Sequence, residues 1–174
     1  CHAAVQANRG DLDRALDHGR QALALDEPRD VLYLVALYRG LLGFIEVSAG
    51  HSQEALDWMA PLTAALQDAG YRDPCVFRFV PDQVEALIAL GRVDEAEATL
   101  DPYERAAEQH ARRSALALAA RARGLLLAAG GQAEAALTEL DRAIRIEREL
   151  RRPFHQARAL LALGLVARRA KHKR

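Results

Sequence analysis

The sequence predicts an all-α protein, an α-solenoid of helical hairpins that repeats about every 40 residues and coils as a right-handed superhelix. Three observations predict this fold. Four glycines recur at intervals of 40, 41 and 40 residues. Each glycine is followed five residues later by an alanine, and the segments between them are rich in helix-favouring Ala, Leu, Arg and Glu. The four pairs are Gly10–Ala15, Gly50–Ala55, Gly91–Ala96 and Gly131–Ala136.

Each of these glycines, the hinge glycines, is expected to end one helix and begin the turn to the next, because glycine readily adopts the left-handed conformation of helix C-termini. The first helices of the hairpins are predicted at residues 30–49, 81–90, 113–129 and 153–169. The second helices are predicted at residues 11–25, 52–69, 92–109 and 132–150. The earliest second helix has either lost its first helix or keeps only a stub of it in residues 1–9.

Residues 71–81 depart from the repeat. Because proline cannot sit comfortably inside a helix, the next first helix is expected to begin or kink at Pro81. The connector before it is expected to be extended or a short helix, and to pack Val76, Phe77 and Phe79 inward.

A small residue seven positions before the hinge glycine predicts close packing within each hairpin. Gly43 and Gly124 occupy this position, and Val84 replaces the glycine in one repeat. Gly164 lies seven residues before Lys171, where the period places a fifth hinge. Small side chains permit an interhelix distance near the low end of ~8–10 Å. A larger side chain four residues after each repeat alanine is expected to fill the space to the next hairpin. These residues are Met59, Leu100 and Leu140, with Gly19 as a weak first member.

Composition and charge favour an interaction module in a reducing compartment. Apolar residues make up 51% of the chain, and the formal net charge is zero, so no overall field attracts nucleic acid or an anionic membrane. Cys1 and Cys75 form no metal-binding or disulfide pattern, and there is no run of 18 uncharged apolar residues. We therefore expect a cytoplasmic location. The basic run at residues 168–174 is expected to be a solvated helix end rather than a nucleic-acid site.

Catalytic and metal-binding patterns are weak. The six histidines are scattered and are expected to be surface or capping residues. Asp94 and Glu95 begin a helix, where the helix dipole favours carboxylates. Cys75 is expected to be a small buried hydrophobe. The sequence thus predicts no enzyme, no catalytic residues, no metal site and no cofactor in this part of the chain.

The hinge glycine, the preceding small residue and the repeat alanine resemble those of the tetratricopeptide repeat. The period is longer than the ~34 residues of that repeat, and its early aromatic residue and terminal proline are mostly absent. Longer helices of this kind resemble the helical repeat region of large ATP-binding, LuxR-type (maltose-activator-like) bacterial transcriptional regulators. The segments that carry this resemblance are residues 80–96, 120–126 and 152–164.

That resemblance implies a sensor and oligomerisation module for a protein partner, for self-association or for a small-molecule inducer. ATP would bind a separate N-terminal domain, and DNA a separate C-terminal domain. We expect residues 1–174 to be one repeat domain of about four hairpins, cut within a repeat at both ends of a larger chain. The alternative is a general protein–protein interaction scaffold from another multidomain signalling protein.

In arrays of this type the first helices line the concave face. The inward positions combine an apolar wall with a few polar groups, a combination typical of ligand sites. The candidate binding residues are Phe44, Arg78, Glu85, Arg121 and Arg158. The apolar positions beside them are Leu37, Leu118, Leu125, Leu161 and Leu165, and Gly40 and Pro81 complete the lining. Leucines that pack the superhelix, covered by the arginine stems, are the alternative interpretation.

Overall fold

The computed structural model describes residues 2–26 and 31–172, and within these residues it contains helices and turns but no strand. The all-α prediction is confirmed. The helices are α1 (His2–Arg9), α2 (Leu12–Asp26), α3 (Leu32–Ala49), α4 (Ser52–Met59), α5 (Leu62–Asp68), α6 (Val80–Ala89), α7 (Val93–Gln109), α8 (Arg113–Ala129), α9 (Ala133–Glu149) and α10 (Pro153–His172).

Predicted and observed helix ends agree within about three residues, the usual scatter of helix boundaries. The stub expected in residues 1–9 is helix α1. Residue 30, where α3 was expected to begin, and residues 173–174 of the basic run lie outside the described part of the chain.

The helix predicted over residues 52–69 is divided into α4 and α5, which corrects the sequence prediction. Pro61 follows the break at Ala60 and has no N–H group for the helical ladder. At the start of a helix the N–H groups have no partner within the helix, so a proline there costs no hydrogen bond. Pro61 directly precedes α5 and is therefore tolerated at the start of this new helix. The second hairpin therefore has a segmented second helix.

Helix contacts divide the chain into two compact units, Cys1–Arg72 and Asp73–Arg174. In the first unit, α1 packs on α2, α2 on α3, and α3 on α4 and α5. In the second unit, each helix from α6 to α10 packs on the next, and α8 also contacts both α6 and α10. This sequential packing is typical of a helical-repeat, solenoid-like fold. The superhelix handedness and the single-domain interpretation stay predictions.

The turn at Gly131 shows why this position takes glycine. Its φ angle is 80°, and the next N–H group, of Gln132, donates to the carbonyl of Leu127 at 2.9 Å. Positive φ at a helix C-terminus is the conformation predicted for the hinge. The turns between hairpins adopt the same conformation at Ala111 and Arg151, with φ angles of 48° and 53°.

Close packing at the small position is clearest at Gly124. A Cβ atom on this residue would lie 2.6 Å from Leu140 Cγ and 3.1 Å from the carbonyl oxygen of Ala136. Leu140 is fully buried, and it also packs with Ala162 and Val166 of α10. Leu140 therefore fills the space within its own hairpin as well as the predicted space to the next one.

The connector before α6 is a series of turns. Phe77 and Phe79 are buried with their ring centroids 6.3 Å apart, and Val76 is half-buried. Pro81 lies in the first turn of α6, where its missing N–H group is tolerated. The predicted inward packing and helix start are confirmed.

Among the described helices, α3 is long and apolar enough to cross a membrane by length and composition. It nevertheless contains Arg39 and Glu46. Glu46 is buried, with its carboxylate 2.9 Å from His51 Nδ1 and 3.8 Å from Arg20 Nη2. A buried carboxylate with these partners is typical of a helix packed inside a folded protein.

Candidate ligand-binding site

A group of polar side chains, here the polar cluster, lies within Asp73–Arg174. Its members come from the connector, from helices α6 to α10 and from the turn between α9 and α10, so that first and second helices of successive hairpins contribute to it. The polar cluster consists of Arg78, Asp82, Glu85, Tyr103, Arg121, Glu147, Arg152, His155 and Arg158.

Four of these residues form an ion-pair network. Arg121 donates to Glu85 Oε2 at 2.7 Å and to Asp82 Oδ1 at 3.1 Å. Arg158 Nη2 lies 2.7 Å from Asp82 Oδ1 and 2.9 Å from Glu85 Oε2. Only 4% of the Arg121 side chain is exposed. The network thus places two acids on α6 against one arginine from each of the next two first helices.

The repeat explains why these residues meet. Asp82 and Glu85 are three residues apart and therefore share a face of α6. Arg121 follows Glu85 by 36 residues and Asp82 by 39, close to one period. Residues one period apart occupy equivalent positions on neighbouring first helices, so their side chains can pair across the hairpins.

The second half of the polar cluster surrounds the turn from α9 to α10. The N–H group of Arg152 donates to the carbonyl of Glu147 at 3.1 Å, which closes the turn. Arg152 Nε then lies 3.5 Å from Glu147 Oε2. Glu147 is 1% exposed and Tyr103, on α7, is 5% exposed. The turn therefore holds a carboxylate and a guanidinium together at the end of the hairpin.

Several buried polar atoms in this half have no hydrogen-bond partner among the described residues. Both carboxylate oxygens of Glu147 and both terminal nitrogens of Arg152 belong to this group. So do the hydroxyl of Tyr103 and Nδ1 of His155, and in the ion-pair network Nε of Arg121 also has no partner. Buried polar groups in folded proteins are nearly always hydrogen-bonded, so each exception calls for an explanation such as a ligand or ordered water.

The pKa of His155 reflects burial and the positive charge of the polar cluster. Burial, followed by the charges of Arg152, Arg158, Arg78 and Arg121, lowers the pKa of His155 to about 3. The imidazole is therefore neutral at pH 7, because protonation would add another cation to a positive region.

Burial is the largest cause of the pKa shifts of Tyr103 and Glu147. It raises the pKa of the Tyr103 hydroxyl and raises the pKa of Glu147, although the nearby arginines lower the latter in part. Arg158 behaves differently: burial acts to lower its pKa, but Asp82 and Glu85 outweigh burial and raise it. In the ion-pair network the attraction between opposite charges thus outweighs the cost of burial, whereas at Glu147 the cost of burial is larger than the attraction of the arginines.

The structure joins three of the five predicted binding residues, namely Glu85, Arg121 and Arg158, in the ion-pair network. Arg78 is exposed, and its charge acts on His155 and Glu147. Phe44 belongs to the other unit, where it packs against the core cluster of Ala7, Ala15 and Ile45. Of the apolar lining positions, Leu118 is buried, Leu125 is half-buried, and Leu37, Leu161 and Leu165 are exposed.

Asp82, Tyr103, Glu147 and Arg152 were not predicted from the sequence, and His155 was expected to be a surface or capping residue. A detectable signal for Asp82 was its three-residue spacing from Glu85 on one helix. Tyr103 and Glu147 lie on second helices, outside the set of first-helix positions from which the candidates were taken. Their participation depends on how the hairpins pack.

The residues considered for chemistry have structural contacts. Within residues 2–26 and 31–172, no group of three or more His, Cys, Asp or Glu side chains is arranged to hold a metal ion. Glu95 pairs with Arg92 at 2.6 Å in the first turn of α7, and Cys75 Sγ lies 3.6 Å from Ser114 Oγ. The prediction of no catalytic residues stays a prediction.

No protein-family model matches the chain, and no curated protein is significantly similar to it in sequence.

Proposed function

We propose that the chain is a non-catalytic binding module, the sensor and oligomerisation region of a cytoplasmic LuxR-type transcriptional regulator. In this proposal ATP and DNA bind separate domains of the full-length protein, and the described helices receive the signal. The polar cluster, with its unpartnered buried atoms across three successive hairpins, supports the binding role. The assignment to a regulator is supported by the sequence resemblance of residues 80–96, 120–126 and 152–164.

Stability alone does not account for this arrangement. Well-packed apolar residues commonly stabilise a core as well as a buried ion pair does, or better. Unpartnered buried donors and acceptors add a further cost. A few convergent polar groups beside apolar side chains are, in contrast, typical of sites that bind small molecules. The polar cluster therefore favours recognition over packing.

The positions of the polar groups also suggest how binding could be transmitted. Glu85, Arg121 and Arg158 lie on α6, α8 and α10, so a ligand that contacts them bridges first helices of three hairpins. A ligand with unequal affinity for two hairpin arrangements shifts the population toward the one that it prefers. The proposed signal is this shift in hairpin packing.

The test is a thermal-unfolding screen of the chain against metabolites and oligosaccharides, with Tyr103→Phe as the variant. This substitution removes a buried hydroxyl that lacks a partner in the described structure, so the folded state should be preserved or stabilised. A ligand at the polar cluster should raise the unfolding midpoint of the wild type and act more weakly on the variant.

Tyr33→Phe is the matched control, because it removes the hydroxyl of an exposed tyrosine in the other unit. Its ligand response should equal that of the wild type. A screen without any midpoint shift, or shifts that Tyr103→Phe leaves unchanged, would contradict the proposed site. Chemical conversion of a bound compound by the purified chain would contradict a non-catalytic module.

A general protein–protein scaffold is the second candidate, and the exposed leucines of α10 favour it. Leu160, Leu161 and Leu165 are 48%, 69% and 45% exposed. Apolar side chains grouped on one helix are typical of association surfaces. Sedimentation of the wild type and of Leu161→Glu over a range of concentrations tests for self-association. Equal sedimentation of both as monomers would count against this candidate.

A further inference from the structure

We infer that the ligand of the polar cluster carries a small anionic group, a carboxylate or a phosphate, which is held by the guanidinium of Arg152. This inference rests on the proposed function, because it names the ligand class for the same site. Four observations carry it: the charge balance, the unpartnered donors, the position of Arg152 before α10 and the partial exposure of the Arg152 side chain.

The charge balance of the polar cluster is positive. Arg121 and Arg158 are already engaged by Asp82 and Glu85, at distances of 2.7 to 3.1 Å. The remaining arginines are Arg78 and Arg152, and the one remaining carboxylate of the cluster is Glu147. With His155 neutral, one positive charge is in excess. An anionic group would neutralise it.

Unpartnered donors occur on Arg152 and on two side chains, Tyr103 and His155, whose pKa values respond to the charge of Arg152. Nη1 and Nη2 of Arg152 are buried and have no hydrogen-bond partner within the described chain. A guanidinium presents its N–H groups as a planar fork that matches the two oxygens of a carboxylate or phosphate. Tyr103 OH and His155 Nδ1 are also unpartnered. The hydroxyl can donate to a ligand oxygen, and so can Nδ1 in the imidazole tautomer that carries its proton on this nitrogen.

Arg152 directly precedes the first residue of α10, and this position favours an anion. The N-terminal end of a helix carries a partial positive charge, because its first N–H groups have no acceptor within the helix. An acidic side chain often occupies this place, but the first turn of α10 contains none. The helix end and the guanidinium therefore add to the same positive potential.

The positive potential is also visible at His155, in the first turn of α10. Besides burial, four arginines of the polar cluster lower the pKa of this imidazole. An anion bound at Arg152 would partly cancel this repulsion, so it should raise the pKa of His155 toward its ordinary value. A rise in the pKa of His155 when an anion is added would not be expected if Arg152 had only a structural role.

The cluster borders solvent at the residues that the ligand would meet first. Arg78 is exposed, and 21% of the Arg152 side chain is accessible. Because the two terminal nitrogens are themselves covered, an anion must displace neighbouring side-chain atoms to reach them. We therefore expect binding to be accompanied by a local rearrangement around Arg152.

The experiment titrates the full chain with inorganic phosphate and with succinate at pH 7, and with glucose as a neutral compound. Calorimetry gives the affinities, and NMR follows the ring signals of His155. The two anions distinguish phosphate from carboxylate as the preferred group. We expect saturable binding of at least one anion, with shifts at His155 and an upward change in its pKa.

Arg152→Gln should weaken anion binding about tenfold or more, because it removes a charged, two-pronged donor. This variant leaves Glu147 buried without its cation, so the double variant Glu147→Gln/Arg152→Gln keeps the test valid if the single variant unfolds. Arg148→Gln, an exposed arginine in the last turn of α9, is the matched control and should bind as the wild type does.

Anion binding that Arg152→Gln and Arg148→Gln weaken equally would overturn the inference. So would binding of glucose or other neutral compounds, but of no anion, at a site sensitive to Tyr103→Phe; the proposed function would then stand. Failure of charged and neutral compounds alike would contradict both the inference and the proposed function.

Discussion

At the scale of single residues, substitutions at Gly131 and Ala111 test whether the left-handed turns strain any residue other than glycine. Both have positive φ, and a Cβ atom on Gly131 would meet nothing within 4 Å. Gly131→Ala should therefore lower stability by about 1–2 kcal/mol through backbone strain alone. Ala111→Gly relieves the same strain, but glycine also raises the entropy of the unfolded chain, which offsets part of the gain. The free energy of unfolding should therefore rise by about 0.5–1 kcal/mol. Urea unfolding of both variants measures the difference, and changes of the same sign would refute the argument.

His155 gives a pH prediction at the same scale. Its folded-state pKa is about 3, below the ordinary value of 6.5, so the unfolded chain binds more protons between these pH values. The contribution of His155 to stability is therefore present above pH 6.5 and is lost as the pH falls toward 3. His155→Gln should show a smaller loss of stability between pH 7 and pH 4.5 than the wild type.

Urea unfolding at the two pH values measures this difference. His110→Gln, which removes an exposed histidine outside the polar cluster, is the control. If both substitutions change the pH dependence of stability equally, the low pKa of His155 is not its source.

At the scale of the helix, alanine substitutions at Gly124 and Gly164 distinguish the effect of side-chain packing from the effect of helix propensity. They occupy the same repeat position, but a Cβ atom on Gly124 would collide with Leu140, whereas one on Gly164 would meet nothing within 4 Å. Gly124→Ala should cost about 1–3 kcal/mol through overpacking. Gly164→Ala should stabilise α10 by about 0.5–1 kcal/mol, since alanine favours helix more than glycine does. Thermal unfolding checks the opposite signs; destabilisation by both would mean that α10 also packs tightly at Gly164.

Helix positions could be predicted well because the sequence repeats them. The hinge glycines, the small residues and the repeat alanines mark the same points of each hairpin, so several copies support each boundary. The break at Pro61 has no counterpart in the other repeats and was not predicted. Ala111 and Arg151 were also missed, because neither residue type indicates a left-handed turn.

Arg123 shows how ionic contacts join helices in ways that the repeat does not indicate. Its guanidinium binds Glu104 and lies 2.6 Å from Asp101, both on α7, and these contacts raise its pKa. The residue adjoins Gly124 on α8, so it holds α7 against α8 beside the close contact with Leu140. Such pairing depends on rotation of the helices and could not be read from spacing alone.

At the scale of the whole chain, the candidate site was only partly predictable. Glu85, Arg121 and Arg158 were found because first-helix positions repeat. Glu147 and Arg152 were not, because their contact forms across the turn between two hairpins. Phe44 was expected beside them but packs in the core of Cys1–Arg72. A repeat pattern thus locates equivalent positions, whereas the polarity of a site depends on individual side chains.

Hydrogen–deuterium exchange of the full chain tests most directly whether the polar cluster is a binding site. The chain is compared with and without the compound that raises its unfolding midpoint. We expect slower exchange in α6, α8 and the first turns of α10, where the ligand would bridge successive hairpins. Slowing confined to Cys1–Arg72, or spread evenly along the chain, would contradict it.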